Sequence, residues 1–302
     1  MDAALLASML QSTVVMAVPL LLAAIGEVIV ERSGVIDIGI EGKMLAGAFV
    51  AMAVVYGTAS PFLGVVGGAL IGCALGALSA TFVVYYAANQ VVVGTAINLL
   101  ALGATGVAYR ALFGVTGAAL TVTGLEKWPL PLLSSLPIVG GALFAQTWLG
   151  YVTFACVPAA AWFLFRTMPG LRLRTAGEDP LAAEAQGIRV RIVRTAALLA
   201  SGALAGIAGA FLAVDYARTF VEGMSAGRGF IALAIVVFGR WTPLGALGGA
   251  LLFGFATALQ FHFQALNLAV PYQFFLMLPY VLTLLILAGF AGARKPPAAL
   301  GT

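Results

Sequence analysis

Apolar runs of about 20 residues recur along this chain from near its start to near its end, and no other feature constrains the fold as much. A run of that length is what an α-helix needs to cross a bilayer, where backbone groups must be satisfied inside the protein. The runs place spans at about 10–30, 43–57, 61–86, 91–113, 148–166, 194–214, 218–239, 242–261 and 271–290. A transmembrane barrel would instead show alternation in segments of about ten residues, and none is present. Charged residues make up 9% of the 302, against about a quarter in a soluble domain, and the mean hydropathy is +1.09. The expected fold is an all-α polytopic membrane protein with about nine transmembrane helices, some of them broken. It forms one membrane domain over residues 1–302 with no separable soluble part.

Several function classes fall away on composition. The net charge of +4 comes without a basic cluster interleaved with aromatics, so nucleic acid is not an expected partner. Cys73 and Cys156 each lie inside an apolar run and read as inert thiols, not a disulfide or metal framework. His262 is the only histidine, which excludes a site needing two imidazoles. No H-E-x-x-H, G-x-S-x-G or Walker A string is present. No catalytic residue or metal site is expected, and any ATP-driven work requires an ATPase on another chain. The first run has Asp2 and no Lys or Arg before Arg32; it lacks the basic flank of a signal peptide and is expected to be retained.

The longest polar interval, Arg172 to Arg194, carries five arginines: Arg172, Arg174, Arg189, Arg191 and Arg194. Inside it lies a short helix with its own signals. Asp179 suits the cap, Pro180 the first position, Leu181–Gln186 the body and Gly187 the exit. Two turns cannot cross a membrane, so the loop 167–193 reads as a docking element at a membrane surface. Putting it on the cytoplasmic side puts eleven of the 15 Lys and Arg residues there, leaving Arg110, Lys127, Arg218 and Arg228 outside. The N-terminus is then outside, the C-terminus cytoplasmic, and 114–147 an outer loop with Pro129, Pro131 and Pro137 between Trp128 and Trp148.

Gly64, Gly68, Gly72 and Gly76 recur every fourth residue on one face of the third span, and Gly202 and Gly206 repeat the device in the sixth. Such faces let helices approach closely. A weaker likeness links Gly34–Phe49 with Gly223–Phe238: both are glycine-punctuated and both lead into apolar helices, as duplicated transporter halves do. A second polar cluster runs from Glu27 to Lys43 and includes Glu31, Asp37 and Glu41. Carboxylates at membrane depth must be paired or wet. The cluster is either a broken helix beside a translocation path or a turn at the membrane edge with solvated charges. The path candidates are Glu27, Asp37, Glu41, Thr95 and Asn98; for Asn98 a hydrogen bond joining two helices is the favoured alternative to contact with a polar solute. Asp215, Arg218, Glu222 and Arg228 form an expected outer-face cluster, either solvated or in contact with a soluble delivery protein.

Three strings carry a resemblance to a known family. ERSGVIDIGIEGKMLAGAF (31–49) resembles the first signature of ABC-importer permeases for nucleosides and simple sugars, in the ribose and branched-chain amino acid permease class. AGEDPLAAEAQGI, followed by TAALLASGALAGIAGAF, resembles the second, and SAGRGFIALAIVVFGRWTPLGALGGALLFG the third. The likeness covers roughly residues 15–290. It implies a permease subunit in a bacterial plasma membrane, paired with a second, related permease. It further implies a cytoplasmic ABC ATPase that binds the ATP and Mg, and an extracytoplasmic solute-binding lipoprotein. Glu178, Asp179, Pro180, Ala183, Glu184 and Gly187 would form the helix seated on the ATPase, with the flanking arginines held at the anionic membrane lipid. The IDIGIEG version, with Glu41, resembles the nucleoside subgroup more than the ribose one. The alternatives are the same importer type carrying simple sugars and, on the strength of the Glu27–Glu41 carboxylates, an ion-coupled secondary transporter.

Overall fold

A computed structural model describes residues 3–114, 120–134, 136, 139–265, 274, 277, 281 and 296–301. Among the described residues, eleven α-helices run in the order α1 (Ala3–Glu31), α2 (Ile40–Thr58), α3 (Pro61–Ala80), α4 (Gln90–Phe113), α5 (Gly140–Leu143), α6 (Trp148–Arg166), α7 (Met168–Glu178), α8 (Pro180–Ala185), α9 (Val190–Ala210), α10 (Arg228–Phe238) and α11 (Pro243–Ala265). α3 and α9 continue into π-helical turns, Thr81–Tyr85 and Phe211–Tyr216.

Seven of these helices, among the described residues, are long and apolar enough to cross a membrane: α1, α2, α3, α4, α6, α9 and α11. The protein is a multi-pass membrane protein. The sequence expected a helical span over 218–239. Only Arg228–Phe238 is helical, 11 residues or about 17 Å, too short for a hydrocarbon core of about 30 Å. Gly223 and Gly227 take left-handed backbone in the stretch before it, at φ 71° and 81°. The expected span 271–290 lies outside the described residues apart from 274, 277 and 281. The second span reaches further back than its expected start, to Ile40.

α1, α2 and α9 form the interior of the bundle, with α3, α4, α6 and α11 around them. The two glycine faces meet each other. A Cβ at Gly72 would sit 2.1 Å from the Gly202 carbonyl oxygen, and one at Gly206 would sit 2.0 Å from that of Gly68. Gly76 abuts Leu198 on the same seam, whereas Gly64 faces Ala51 and Val55 of α2. In lipid, where apolar side chains gain little from each other's company, this backbone-to-backbone approach is what holds helices together.

Two ends of the bundle can be told apart. α7 and α8 lie at one end with the arginines of 172–194, and residues 296–301 return to it: the Ala299 N–H donates to the Gly177 carbonyl (2.9 Å) and that of Gly301 to the Gly34 carbonyl (3.1 Å). We call this the arginine-rich end. At the opposite end, the loop after α4 contains α5 and an antiparallel bridge, Lys127 to Thr147. Residues 115–119, 135, 137 and 138 of that loop, Pro137 among them, lie outside the described residues.

Candidate functional site at two broken helices

The chain between α1 and α2 is not a solvated turn. Residues 35–39 run back into the bundle without helix, and glycines at 34 and 39 punctuate the break. At the arginine-rich end the Ile36 N–H donates to Gln90 Oε1 (2.8 Å). Further in, the Gly42 N–H donates to Asn98 Oδ1 (2.7 Å). Gln90 and Asn98 lie on one helix, so eight residues at 1.5 Å each place Gly42 about 12 Å deeper than Ile36. α2 therefore starts inside the bundle, well back from its arginine-rich end. Its first N–H groups need partners there, because no water is at hand. Asn98 supplies one and also ties the break: its Oδ1 accepts from Gly42, while its Nδ2 donates to the Ile38 carbonyl (2.9 Å). Of the two roles the sequence left open, the joining of helices is the one these bonds describe.

The charges of this break are buried. Lys43 is wholly inaccessible, and its Nζ lies 2.5 Å from Asp37 Oδ2. Ser201 Oγ on α9 donates to the same oxygen (3.3 Å). Glu27, one turn before the end of α1, accepts the Asp37 N–H at Oε1 (3.0 Å). Glu31 accepts the indole N–H of Trp241, and Arg32 Nε donates to the Trp241 carbonyl (2.8 Å). Four segments are thus tied together by one polar network inside a membrane bundle, in which Lys43 and Asp37 offset each other and Glu27 keeps one buried oxygen, Oε2, without a hydrogen bond.

The second break is the non-helical stretch before α10, and Glu41 joins it to the first. Its Oε1 accepts from the Gly227 N–H (2.8 Å) and its Oε2 from the Gly229 N–H (2.7 Å). A carboxylate at a helix N-terminus satisfies free N–H groups and opposes the positive end of the helix dipole. Here the cap comes from another segment 186 residues away in sequence. A Cβ at Gly229 would meet the Glu41 backbone at 2.6 Å. The two stretches paired by the sequence likeness therefore meet at their broken starts.

The remaining candidates are placed as follows. Thr95 is exposed on α4 and bonds only its own helix, at the Val91 carbonyl (2.8 Å). Asp179 Oδ1 accepts from the Ala182 N–H (2.9 Å), Pro180 opens α8, and Gly187 sits at φ 76° after its end. The Ile188 N–H closes the helix on the Ala183 carbonyl (3.0 Å). Ala183 is buried with Ala176 and Val190, while Leu181 and Glu184 face outward. A half-open cavity of about 520 Å³ lies beside α8, lined by Val84, Asn89, Leu181, Arg191 and others.

Of the expected outer-face cluster, Asp215 and Arg218 remain close enough to interact, and Arg228 leaves it. Asp215 accepts from Thr147 (2.9 Å), Glu222 forms a two-pronged pair with Arg110 (2.9 Å each), and Arg228 bonds the Met224 and Ser225 carbonyls (3.0 and 3.2 Å). Arg228 opens α10 beside the Glu41 cap and not at the outer face. The sequence did not mark Ser201 or Trp241 individually, although Ser201 sits inside the second string and Trp241 inside the third, in the triplet GRW; Gln90 is one of the polar residues that open the fourth span. No group of three metal-capable side chains comes together among the described residues.

The family described as the permease component of branched-chain amino acid transport systems matches residues 9–287. The chain belongs to that family. It is 37% identical to the guanosine ABC transporter permease NupQ of Bacillus subtilis, over 98% of this chain and 96% of the relative. It is 39% identical to the nucleoside ABC transporter permease NupC of Lactococcus lactis, over 94% and 92%. Identity is also 39%, over 87% and 80%, with TsgC13 of Haloferax volcanii, whose name assigns it provisionally to glucose transport. Likenesses of 26% extend to a second permease in each of the first two organisms, NupP and NupB. The permease is thus a membrane transport subunit and not an enzyme, and the resemblance carried by the three strings is borne out.

Proposed function

We propose that this permease is one of two related transmembrane subunits of an ABC importer for nucleosides. The observation that carries the substrate is the end-to-end likeness to permeases named for guanosine and for nucleosides. A second reading, simple sugars, has the Haloferax relative in its favour. The second subunit is supported by the paired permeases of B. subtilis and L. lactis. ATP and Mg belong to a cytoplasmic ATPase on which α8 sits, through Glu178, Asp179, Pro180, Ala183, Glu184 and Gly187, and a lipoprotein delivers the solute from outside.

The permease crosses the membrane nine times, with the arginine-rich end cytoplasmic and the N-terminus outside. Seven crossings are the long helices. The eighth is the broken one, 217–239. It descends without helix from the end of α9 to the Glu41 cap and finishes as α10. A ninth is supported by parity. The chain leaves α11 at the opposite end and is back beside Gly177 at Ala299. The apolar run 271–290 is long enough for that return.

In this reading the two broken helices are the moving part. Non-helical backbone at membrane depth is tolerated only where protein buries it or it lines a water-filled passage. The Glu41 carboxylate holds the two breaks together without occupying the helical volume of either. Asp37 and Glu27 position that segment from behind. Both Glu41 oxygens are taken, so its part in the path is to shape the break. Glu41→Gln keeps the shape but loses the charge and presents N–H₂ to one of two donors. It is expected to lower uptake about tenfold, with the ATPase still bound on co-purification; unchanged uptake would remove the clamp from the mechanism.

The substrate is tested with the complete complex in proteoliposomes. Labelled guanosine, adenosine, uridine and cytidine are expected to accumulate when ATP is enclosed on the ATPase side, and ribose and glucose are not. Ribose or glucose uptake with no nucleoside response would overturn the nucleoside reading, and uptake without the ATPase would overturn the importer reading.

A further inference from the structure

α10 is gripped at both ends by one short stretch of chain. Glu41 caps its N-terminus, and ten residues earlier Glu31 and Arg32 hold Trp241, just past its C-terminus, by the indole N–H and the backbone carbonyl. Residues 31–41 therefore act as a bracket around the half-helix. α10 cannot shift along the membrane normal without the bracket unless it breaks hydrogen bonds in a region that offers no water to replace them.

The bracket is in turn bolted to the end of α7, the helix that leads directly into α8. A Cβ on Gly177 would lie 2.2 Å from the Arg32 carbonyl oxygen and 3.0 Å from the Gly34 nitrogen. Gly34 has φ 92°, and its own Cβ position is 2.9 Å from Arg194 Nη2 and 3.1 Å from the Ala299 carbonyl oxygen. Backbone thus lies on backbone, with no side chain between to absorb movement. Two further ties cross the same joint. Arg194 Nε on α9 donates to the Ser33 carbonyl (3.2 Å). Residues 298–301 strap both partners, from Ala298 to Glu178 Oε2 (3.3 Å), from Ala299 to Gly177 and from Gly301 to Gly34.

We infer that the Gly34–Gly177 contact is the joint through which displacement of α8 is delivered to α10, with Gly34, Gly177 and the strap 298–301 as positioning residues of transport. The inference rests on the ABC-importer reading above. α8 itself touches little of the membrane bundle: its one buried residue is Ala183, packed on Ala176 and Val190. Force entering α8 passes to α9 at Val190 and to α7 at Asp179, and the second route leaves α7 at Gly177, where it meets the bracket. Packed backbone at van der Waals contact is stiff, so the bracket moves with α7, and α10 moves with the bracket. A loosened joint lets the ATPase cycle while the half-helix stays behind.

The test is the ratio of nucleoside imported to ATP hydrolysed, measured in proteoliposomes holding the complete complex. The wild-type complex is measured first; if it shows no ATP-dependent nucleoside uptake, the importer reading fails and not the joint. Gly177→Ala wedges the joint apart. The expected result is an assembled complex that hydrolyses ATP while its import-to-ATP ratio falls about tenfold. Ala299→Pro removes the N–H that the strap donates to Gly177 and lies outside the membrane helices, so it remains informative if Gly177→Ala fails to assemble. Its ratio is expected to fall about threefold. A role in folding alone would lower assembly, hydrolysis and import together and leave the ratio at the wild-type value. An unchanged ratio in assembled Gly177→Ala overturns the inference, as does an unchanged ratio in Ala299→Pro where Gly177→Ala does not assemble.

Discussion

Lys43→Met is expected to destabilise the permease by about 3–5 kcal/mol, enough to deplete it from the membrane. Lys43 has no solvent access, and its ammonium contacts Asp37 among Glu27, Glu31 and Ser201. Removing it leaves carboxylates facing one another in a dry interior with no cation in the network except the partly buried Arg32, which is engaged with Trp241. The Coulomb gain of an ion pair in such a place is largely offset by desolvation of both partners, so the pair itself is worth little. Breaking it is what costs, since the surviving charge keeps its desolvation penalty and loses its partner. Two outcomes follow from that asymmetry. Lys43→Met and Asp37→Leu should each lower the thermal midpoint of the purified permease sharply. The double variant Asp37→Leu/Lys43→Met should recover a good part of the loss, because it removes both charges and leaves apolar volume. A double variant as unstable as the sum of the singles would show that the two residues act independently, and the network would need another account.

The legible part of this fold was the part written in long apolar runs. Those at α1, α3, α4, α6, α9 and α11 announce themselves because a bilayer-length helix needs an uninterrupted apolar stretch. The span expected over 218–239 shows where this rule fails. Residues 228–238 are apolar and helical, but Gly223, Gly227 and Gly229 ahead of them answer a tertiary demand, the close approach of Glu41 and its backbone. Hydropathy averages over that difference. The glycine faces of α3 and α9 were legible as faces; that they pack on each other was not, since which faces meet depends on how the helices are arranged.

The candidate site divides along the same line. Glu27, Asp37 and Lys43 stood out because charge at membrane depth is costly and seldom accidental. The sequence could not tell a solvated edge turn from a buried network, because burial is a property of the neighbours. Asp37 is buried by α1 and α9 as much as by its own segment. Asp215, Arg218, Glu222 and Arg228 lie close in sequence and read as one cluster; Asp215 and Arg218 do stay together and Glu222 pairs with Arg110 at the end of α4, but the backbone beyond descends into the bundle and sends Arg228 to its own turn. Thr95, singled out as polar in an apolar span, spends its hydroxyl on its own helix, which is how such a residue is most cheaply accommodated.

Replacing Leu181–Gly187 by a Gly/Ser linker is expected to reduce ATP-dependent uptake to background while the membrane bundle stays folded. The reason lies in how little holds α8. Six residues make no stable helix alone. Its form depends on the Asp179 cap, the pre-set backbone of Pro180, the left-handed exit at Gly187 and the seat of Ala183 on Ala176 and Val190. Of these only Val190, the first residue of α9, belongs to the bundle, and it lies at the end of that helix, so the linker leaves the packing of the α1, α2 and α9 interior in place. A thermal midpoint near the wild-type value checks that. What the linker removes is a stiff, outward-facing element with Leu181 79% exposed, and a flexible chain transmits no displacement. A graded series sharpens the case. Asp179→Ala takes away one capping bond, worth about 1 kcal/mol, and should give a partial loss. Asp179→Ser keeps an acceptor at the cap and should restore most of the uptake. Full uptake by the linker variant would mean that the solute moves without this helix, and the ion-coupled carrier would become the better reading of the Glu27–Glu41 carboxylates.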